Sequence, residues 1–312
     1  MNTFAPDRPL KLGTRNSPLA MAQAEEARAA LMAAHPGLEV ELVPVLASGD
    51  KVLDRPLAEI GGKALWTKEL DHWLLGGEID FAVHSLKDVE TLRPAEITIA
   101  AVLPREDVRD VLVGAASLAD LPPGSRIGTS APRRAAQALH LRPDCRVVGI
   151  RGNVQTRLAK LAAGEADVTL LAKAGLNRLG RGDVGTPLDS SAWLPAPGQG
   201  AIGIECRTCD SAMRDLLAAI DHDPSHLAVR AERALLAAVG GNCHSPVAVL
   251  STWQGEMLML EAALFSPDGA DKVAAAHSFL PGDTTAPAEL AARLLAGASA
   301  AIAMHFAPPD GR

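Results

Sequence analysis

The feature that most constrains this chain is a repeat. "LKLGTR" reads as a short strand, and "NSPLAMAQAEEARAALMAAHPG" as a helix with Ser17 as its N-cap and Pro18 in its first turn. "LEVELVPVLA" alternates apolar and polar residues, as a strand does. In "ALWTKELDHWLL", Leu65, Leu70, Trp73 and Leu74 share one helical face. "GGEID" then leads into the apolar run Phe81-Ala82-Val83. The order is β-α-β-α-β. From Ser125 the same order returns in "SRIGTS", "APRRAAQALHL", "CRVVGI", "VQTRLAKLAAG" and "EADVTLLA". Gly13-Thr14 and Gly128-Thr129 each close a first strand ahead of a proline-started helix. Gly77-Glu78-Ile79-Asp80 and Gly164-Glu165-Ala166-Asp167 each introduce a last strand. The pattern predicts an α/β protein of two similar lobes, each a mostly parallel sheet covered by helices.

"PREDVRDVLV" reads as the crossover between the lobes, and "WLPAPGQGAIGIEC" as the return hinge. From about Asp223 the character changes. A helix, "SHLAVRAERALLAAV", precedes three strands, "PVAVLSTW", "EMLMLEAALF" and "DKVAAAHSF". Gln254-Gly255 and Asp268-Gly269 stand between them as hairpin turns, and "PAELAARLLAGASAAIAM" closes as one amphipathic helix. The predicted boundaries are 1–103 with 201–222 for a discontinuous lobe one and 104–200 for lobe two. Residues 223–312 then form a small α+β domain with an antiparallel three-stranded sheet. With 3% aromatics and no Tyr, the cores must be built from Ala, Leu, Val and Ile. A net charge of −7 argues against a nucleic-acid partner. No apolar run is long enough to cross a membrane, and the N-terminus has no signal-peptide core. A cytoplasmic protein with reduced thiols is expected.

In open α/β sheets, ligands bind beyond the carboxyl ends of the strands, where helix N-termini attract anions. Arg15 and Ser17 follow the first strand of lobe one. Thr129, Ser130, Arg133 and Arg134 follow the first strand of lobe two. Arg151 and Asn153 follow its second strand, with Arg157 one turn on. In "AVHSLKDVE" a buried strand runs out onto Lys87 and Asp88. Five arginines at ligand-facing ends of an acidic protein point to a cleft for a polyanion, because Arg grips carboxylates bidentately. The chain lacks the G-x-x-x-x-G-K-[ST] cradle for nucleotide phosphates. The lone pair Cys206 and Cys209 has no second pair for a metal and no thioredoxin-like setting. Cys145 begins a strand and reads as core. Cys243 lies in "GGNCHSPVAV", where Gly240 and Gly241 suggest that something bulky approaches the backbone. On local sequence it is equally a structural thiol or an attachment site.

The ordered motifs "LGTRNSPLAMAQA", "GGKALWTKEL", "DFAVHSLKDV", "REDVRDVLV", "GTSAPRRAAQ", "IRGNVQTRL", "AGLNRLG", "PAPGQGAIGIE" and "NCHSPVAV" span nearly the whole chain. In them the sequence closely resembles the porphobilinogen deaminase (hydroxymethylbilane synthase) family of tetrapyrrole biosynthesis. The resemblance implies two periplasmic-binding-protein-like lobes forming a cleft, and a third domain whose cysteine, Cys243, holds a dipyrromethane cofactor through a thioether. Four porphobilinogen molecules are deaminated and added in turn to this primer, and hydrolysis releases 1-hydroxymethylbilane. The family's catalytic aspartate falls on Asp88. Its cofactor-binding positions fall on Arg15, Ser17, Lys87, Thr129, Ser130, Arg133, Arg134 and Arg151. Its substrate-binding positions fall on Arg15, Arg151, Arg157, Arg178, Gln199 and Lys63, the last in a loop over the cleft. A monomer without metal is implied.

Each pyrrole carries an acetate and a propionate, so the growing chain gathers the negative charge that the arginines match. Loss of ammonia leaves a cationic azafulvene, which a carboxylate stabilises. The sequence departs from the family pattern at Glu90, where proline is common, and at Ala131-Pro132, where Ser-Leu is frequent. It departs again at Trp66 and Asn242, in place of Phe and Gly. These departures bear on affinity and loop mobility rather than on the reaction. A non-catalytic two-lobed anion binder accounts for the lobes and arginines but not for the third domain or Cys243. A thiol redox protein using Cys206 and Cys209 is the more distant alternative.

Overall fold

The computed structural model describes residues 8–45 and 67–306. The chain divides into two units, Met1–Glu106 with Gly200–His226, and Asp107–Gln199 with Leu227–Arg312. The first unit opens with β1 (Leu10–Arg15), α1 (Pro18–Ala34), β2 (Val40–Val45), α2 (Lys68–Gly76), β3 (Phe81–Ser85) and β4 (Ile97–Val102). There follow β5 (Asp110–Val113), β6 (Arg126–Gly128), α3 (Pro132–Leu141), β7 (Arg146–Val148) and α4 (Val154–Ala162), then β8 (Val168–Ala172), α5 (Lys173–Arg178) and β9 (Thr186–Pro187). The chain returns to the first unit with β10 (Ile202–Arg207) and α6 (Ser211–Ala218). It ends with α7 (Asp223–Ala238), β11 (Val247–Gln254), β12 (Met257–Phe265), β13 (Lys272–Phe279), α8 (Ala286–Ala296) and α9 (Ala300–Ala303).

Two five-stranded sheets have the orders β2-β1-β3-β10-β4 and β7-β6-β8-β5-β9. In each, the first three strands run parallel and the fourth runs antiparallel to both its neighbours. The expected repeat therefore extends to a fourth, antiparallel strand, β10 in one sheet and β5 in the other. The segments read as crossover and hinge are strands, β5 and β10. Their periodicity is poor because the buried Asp110 starts β5 and the buried Glu205 interrupts β10. The architecture is α/β, two lobes each built on a five-stranded mixed sheet, with a C-terminal antiparallel sheet β11-β12-β13.

The cores are aliphatic, as the scarcity of aromatics requires. In the first unit Leu12, Leu31, Phe81, Ile202, Ile204 and Leu217 pack together. Under the C-terminal sheet, Leu235, Val249, Leu260, Leu290 and Leu294 do the same. Within the second unit that sheet also meets α3, because Phe265, Ala248 and Ala263 pack on Ala136. The final helix is not continuous. Gly297 ends α8, and Ser299 starts α9 by accepting from Ile302 N. No helix of the described residues is long and apolar enough to cross a membrane.

Candidate active site

In the first unit a pocket opens at the strand ends, lined by Arg15, Ser17, Gln23, Thr67, His84, Ser85 and Asp88 among others. Each lining residue has a local cause. Arg15 is the last residue of β1, and Ser17 caps α1, its Oγ accepting from Ala20 N at 3.4 Å. β3 runs into a single 3₁₀ turn, Leu86–Asp88. Leu86 is buried and Val89 is buried, so Lys87 and Asp88 between them are left half-exposed. Leu86 lies over Gly203 of β10, where a Cβ would come within 2.3 Å of its Cδ2. That close approach pins the turn and presents Asp88 at the pocket. Lys87, on the same turn, is not among the residues that line it. Gln23 and Ser85 hold each other, Nε2 donating to Oγ at 2.7 Å and Oγ to Oε1 at 3.0 Å.

Beside the pocket, Arg93 gathers three carboxylates: Asp71, Glu90 and Glu205. Glu90 also accepts from Thr67 Oγ1 at 2.7 Å, so the departure at this position has a structural partner here. Burial alone would raise the Glu205 carboxyl, but His84 and Arg93 hold it down at about 2. Sequence reading passed over Arg93, Glu205 and Gln23. A lone arginine after a turn and a glutamate inside an apolar run give no local signal of pairing.

In the second unit the strand-end residues engage other groups of the protein. Thr129 Oγ1 accepts from Ala131 N at 3.1 Å, and Ser130 Oγ donates to Ile150 O at 3.1 Å. Asn153 caps α4, accepting from Thr156 N, and Arg157 Nε donates to Gly152 O. Arg151 and Arg178 are half-buried. Arg133 and Arg134, expected to face ligand rather than structural partners, are each 5% exposed and engage a carboxylate of the protein itself. Nη2 of each donates to Asp110 at 2.7 Å, and Nη1 donates to Leu194 O and Leu170 O respectively. Trp193 Nε1 and Gln199 Nε2 complete the set on Asp110, both at 2.8 Å. Gln199, expected at the substrate, is thus 1% exposed and braces the same carboxylate. The reason is the buried start of β5: a carboxylate there must be neutralised, and Pro132 starts α3 so that both arginines reach it. Burial would raise Asp110, but the two guanidiniums hold it well below the carboxylate range. Burial, with Arg134 beside it, lowers Arg133, and Asp110 opposes that shift.

Cys243 is exposed on a short turn. Asn242 shapes the turn, its Oδ1 accepting from His244 N at 2.8 Å and its N donating to Ser245 Oγ at 3.0 Å. The two glycines serve the backbone below rather than an approaching group. Gly240 ends α7 at φ 68°, and a Cβ on Gly241 would come within 2.7 Å of Leu236 Cδ1. Cys145 and Cys206 pack in cores, and burial pushes the Cys206 thiol up to about 11, far from a reactive thiolate. Lys63, Trp66 and Leu65 lie outside the described residues.

Two family models match the chain. "Porphobilinogen deaminase, dipyromethane cofactor binding domain" covers residues 10–215, and "Porphobilinogen deaminase, C-terminal domain" covers 226–296. A porphobilinogen deaminase of Sphingopyxis alaskensis is 58% identical, over 98% of this chain and 100% of its own. Those of Paracoccus denitrificans and Xanthomonas campestris pv. campestris are 49% and 48% identical, over 86% and 92% of this chain and 88% and 95% of theirs.

Proposed function

The chain belongs to the porphobilinogen deaminase family, a family of transferases in tetrapyrrole biosynthesis, and on that premise we propose how its own residues carry the reaction. It joins four porphobilinogen molecules head to tail, with loss of ammonia at each step, and releases 1-hydroxymethylbilane. The observation that carries this reading is the pocket where Arg15, Ser17 and Asp88 meet. A cation, a hydroxyl and a carboxylate on one wall suit a ligand with acidic side chains and a pyrrole N–H.

The same donor set fits a dipyrromethane, and the exposed Cys243 fits a thioether to it. When bound, that group supplies the free pyrrole carbon on which the chain grows. Arg15, Ser17, Lys87, Thr129, Ser130 and Arg151 are proposed to hold its carboxylates, and Arg15, Arg151, Arg157, Arg178 and Lys63 those of the substrate. Arg133 and Arg134 contribute chiefly by charge, since two guanidiniums on one carboxylate leave one positive unit at the start of α3. Asp88 accepts from a pyrrole N–H and stabilises the cation formed as ammonia departs. The proposed domains are 1–103 with 201–222, 104–200 and 223–312, in a cytoplasmic monomer.

Intact mass and peptide mapping test the reading. The purified protein is expected to carry two pyrrole units on Cys243. Cys243→Ser loses adduct and activity, while Cys206→Ser and Cys209→Ser keep both. An adduct on another cysteine, or an unmodified chain from cells that make porphobilinogen, overturns the assignment.

A further inference from the structure

The cluster beside the pocket has a chemistry that the role of Asp88 leaves unused. Glu205, on β10, is fully buried, and both its oxygens accept from Arg93 at 2.9 Å. The same guanidinium donates to Asp71, to Glu90 and to Thr67 Oγ1. Three carboxylates thus share one arginine, Glu205 fully buried and Asp71 and Glu90 partly exposed. Glu205 Oε2 also lies 3.2 Å from His84 Nε2. Nε2 is buried and makes no well-formed hydrogen bond, so the carboxylate acts on it through its own charge. His84 in turn lines the pocket together with Asp88 and Arg15.

At that distance a carboxylate repels a lone pair on Nε2 and attracts an N–H there, even off the hydrogen-bond axis. The contact thus favours the tautomer with its proton on Nε2, and Nδ1 is then the nitrogen left to exchange one. Glu205 from β10 lies against Nε2, and Arg15 at the end of β1 and Asp88 on the turn line the same pocket as the ring. Arg93, which also pairs with Asp71 and Glu90, binds the same carboxylate.

We propose that His84 is a proton relay of this pocket and that Glu205 is the residue that positions it. The proposal rests on the deaminase reading above. In each cycle the aminomethyl group reacts as its ammonium: the carbon–nitrogen bond breaks, and ammonia leaves with the electron pair. A carbon–carbon bond forms from the methylene to a pyrrole carbon, which then sheds its proton. His84 Nδ1 takes that proton and passes it to the ammonia, which departs as ammonium. No electron changes hands, and the ring returns to its starting state. Asp88 keeps its negative charge throughout, which a carboxylate that stabilises a cation must do.

Two measurements on the cofactor-loaded protein test this. Long-range proton–nitrogen spectra of ¹⁵N-histidine-labelled protein, assigned with His84→Gln, are expected to show His84 as the Nε2–H tautomer. Glu205→Gln should shift the ring toward Nδ1–H. Ammonia release from porphobilinogen is expected to fall about a hundredfold in His84→Gln. The acid limb of its pH profile should be lost while KM changes less than about threefold, a split that a packing role alone does not produce. A Nδ1–H tautomer in the unsubstituted protein overturns the relay without any variant having to fold. So does a folded His84→Gln with an unchanged pH profile. A protein that releases no ammonia and bears no adduct overturns the deaminase reading and the relay with it, whereas a wrong tautomer with normal ammonia release overturns the relay alone.

Discussion

Asp88 reaches solvent because its neighbours do not. Leu86 seats over Gly203 and Val89 is buried, so a three-residue turn has only Lys87 and Asp88 left to expose. Under the proposed mechanism Asp88→Asn keeps the shape and an acceptor oxygen but loses the charge. Removing one such group from a site that stabilises developing charge costs roughly 3 kcal/mol, about a hundredfold in rate. The substituted protein, loaded with preformed product, is therefore expected to fold and to consume porphobilinogen about a hundredfold more slowly in steady state. A loss below about fivefold, roughly 1 kcal/mol, assigns Asp88 instead to a surface pair with Lys87. Single residues were legible in the sequence where backbone rules fix them. Ser17 before Pro18 announced a cap, and a cap it is. They were not legible where the reason is a distant neighbour. Gly241 looked like room for a bulky partner and is room for Leu236.

At the scale of elements, α3 is held by a charge balance rather than by a hydrophobic stripe alone. Arg133 and Arg134 stand in its first turn, and β5 begins on Asp110. The carboxylate has four donors on two oxygens. Removing one guanidinium leaves a buried anion under-compensated, which typically costs about 3–5 kcal/mol. Arg134→Leu is thus expected to lower the denaturant midpoint markedly, as well as to impair cofactor assembly. An unchanged midpoint with failed assembly would show that Arg134 meets the ligand directly after all. Parallel strands and their helices were visible in the sequence because each has its own periodicity. β4, β5 and β10 were not read as strands. β5 and β10 owe their place to pairing with strands far away in sequence, and both carry a buried acid where a strand pattern wants an apolar residue.

Across the whole molecule, each five-stranded sheet carries a fully buried carboxylate held by arginine, and the two differ in how firmly they are held. Glu205 has one guanidinium and an imidazole; Asp110 has two guanidiniums, an indole and an amide. A carboxylate with a folded pKa below its unfolded one binds fewer protons in the folded state. Its stabilisation is complete above the unfolded pKa and is lost as pH falls through the folded one. For Glu205 that window runs from 4.5 down to about 2. For Asp110, lowered further by its second arginine, it extends to more acid conditions. Acidification should therefore loosen the unit containing β3 and β10 before the unit containing β5 and β8. Hydrogen exchange followed by mass spectrometry, after short incubations stepped downward from pH 5, is expected to show this order. Peptides from Phe81–Ser85 and Ile202–Arg207 should lose protection at a higher pH than those from Asp110–Val113 and Val168–Ala172. In Glu205→Gln the neutral amide no longer titrates, so the first unit begins less stable at neutral pH but loses less on acidification. Loss of protection in both units at one pH, unchanged by that substitution, would mean that Glu205 and Asp110 do not govern the acid limit.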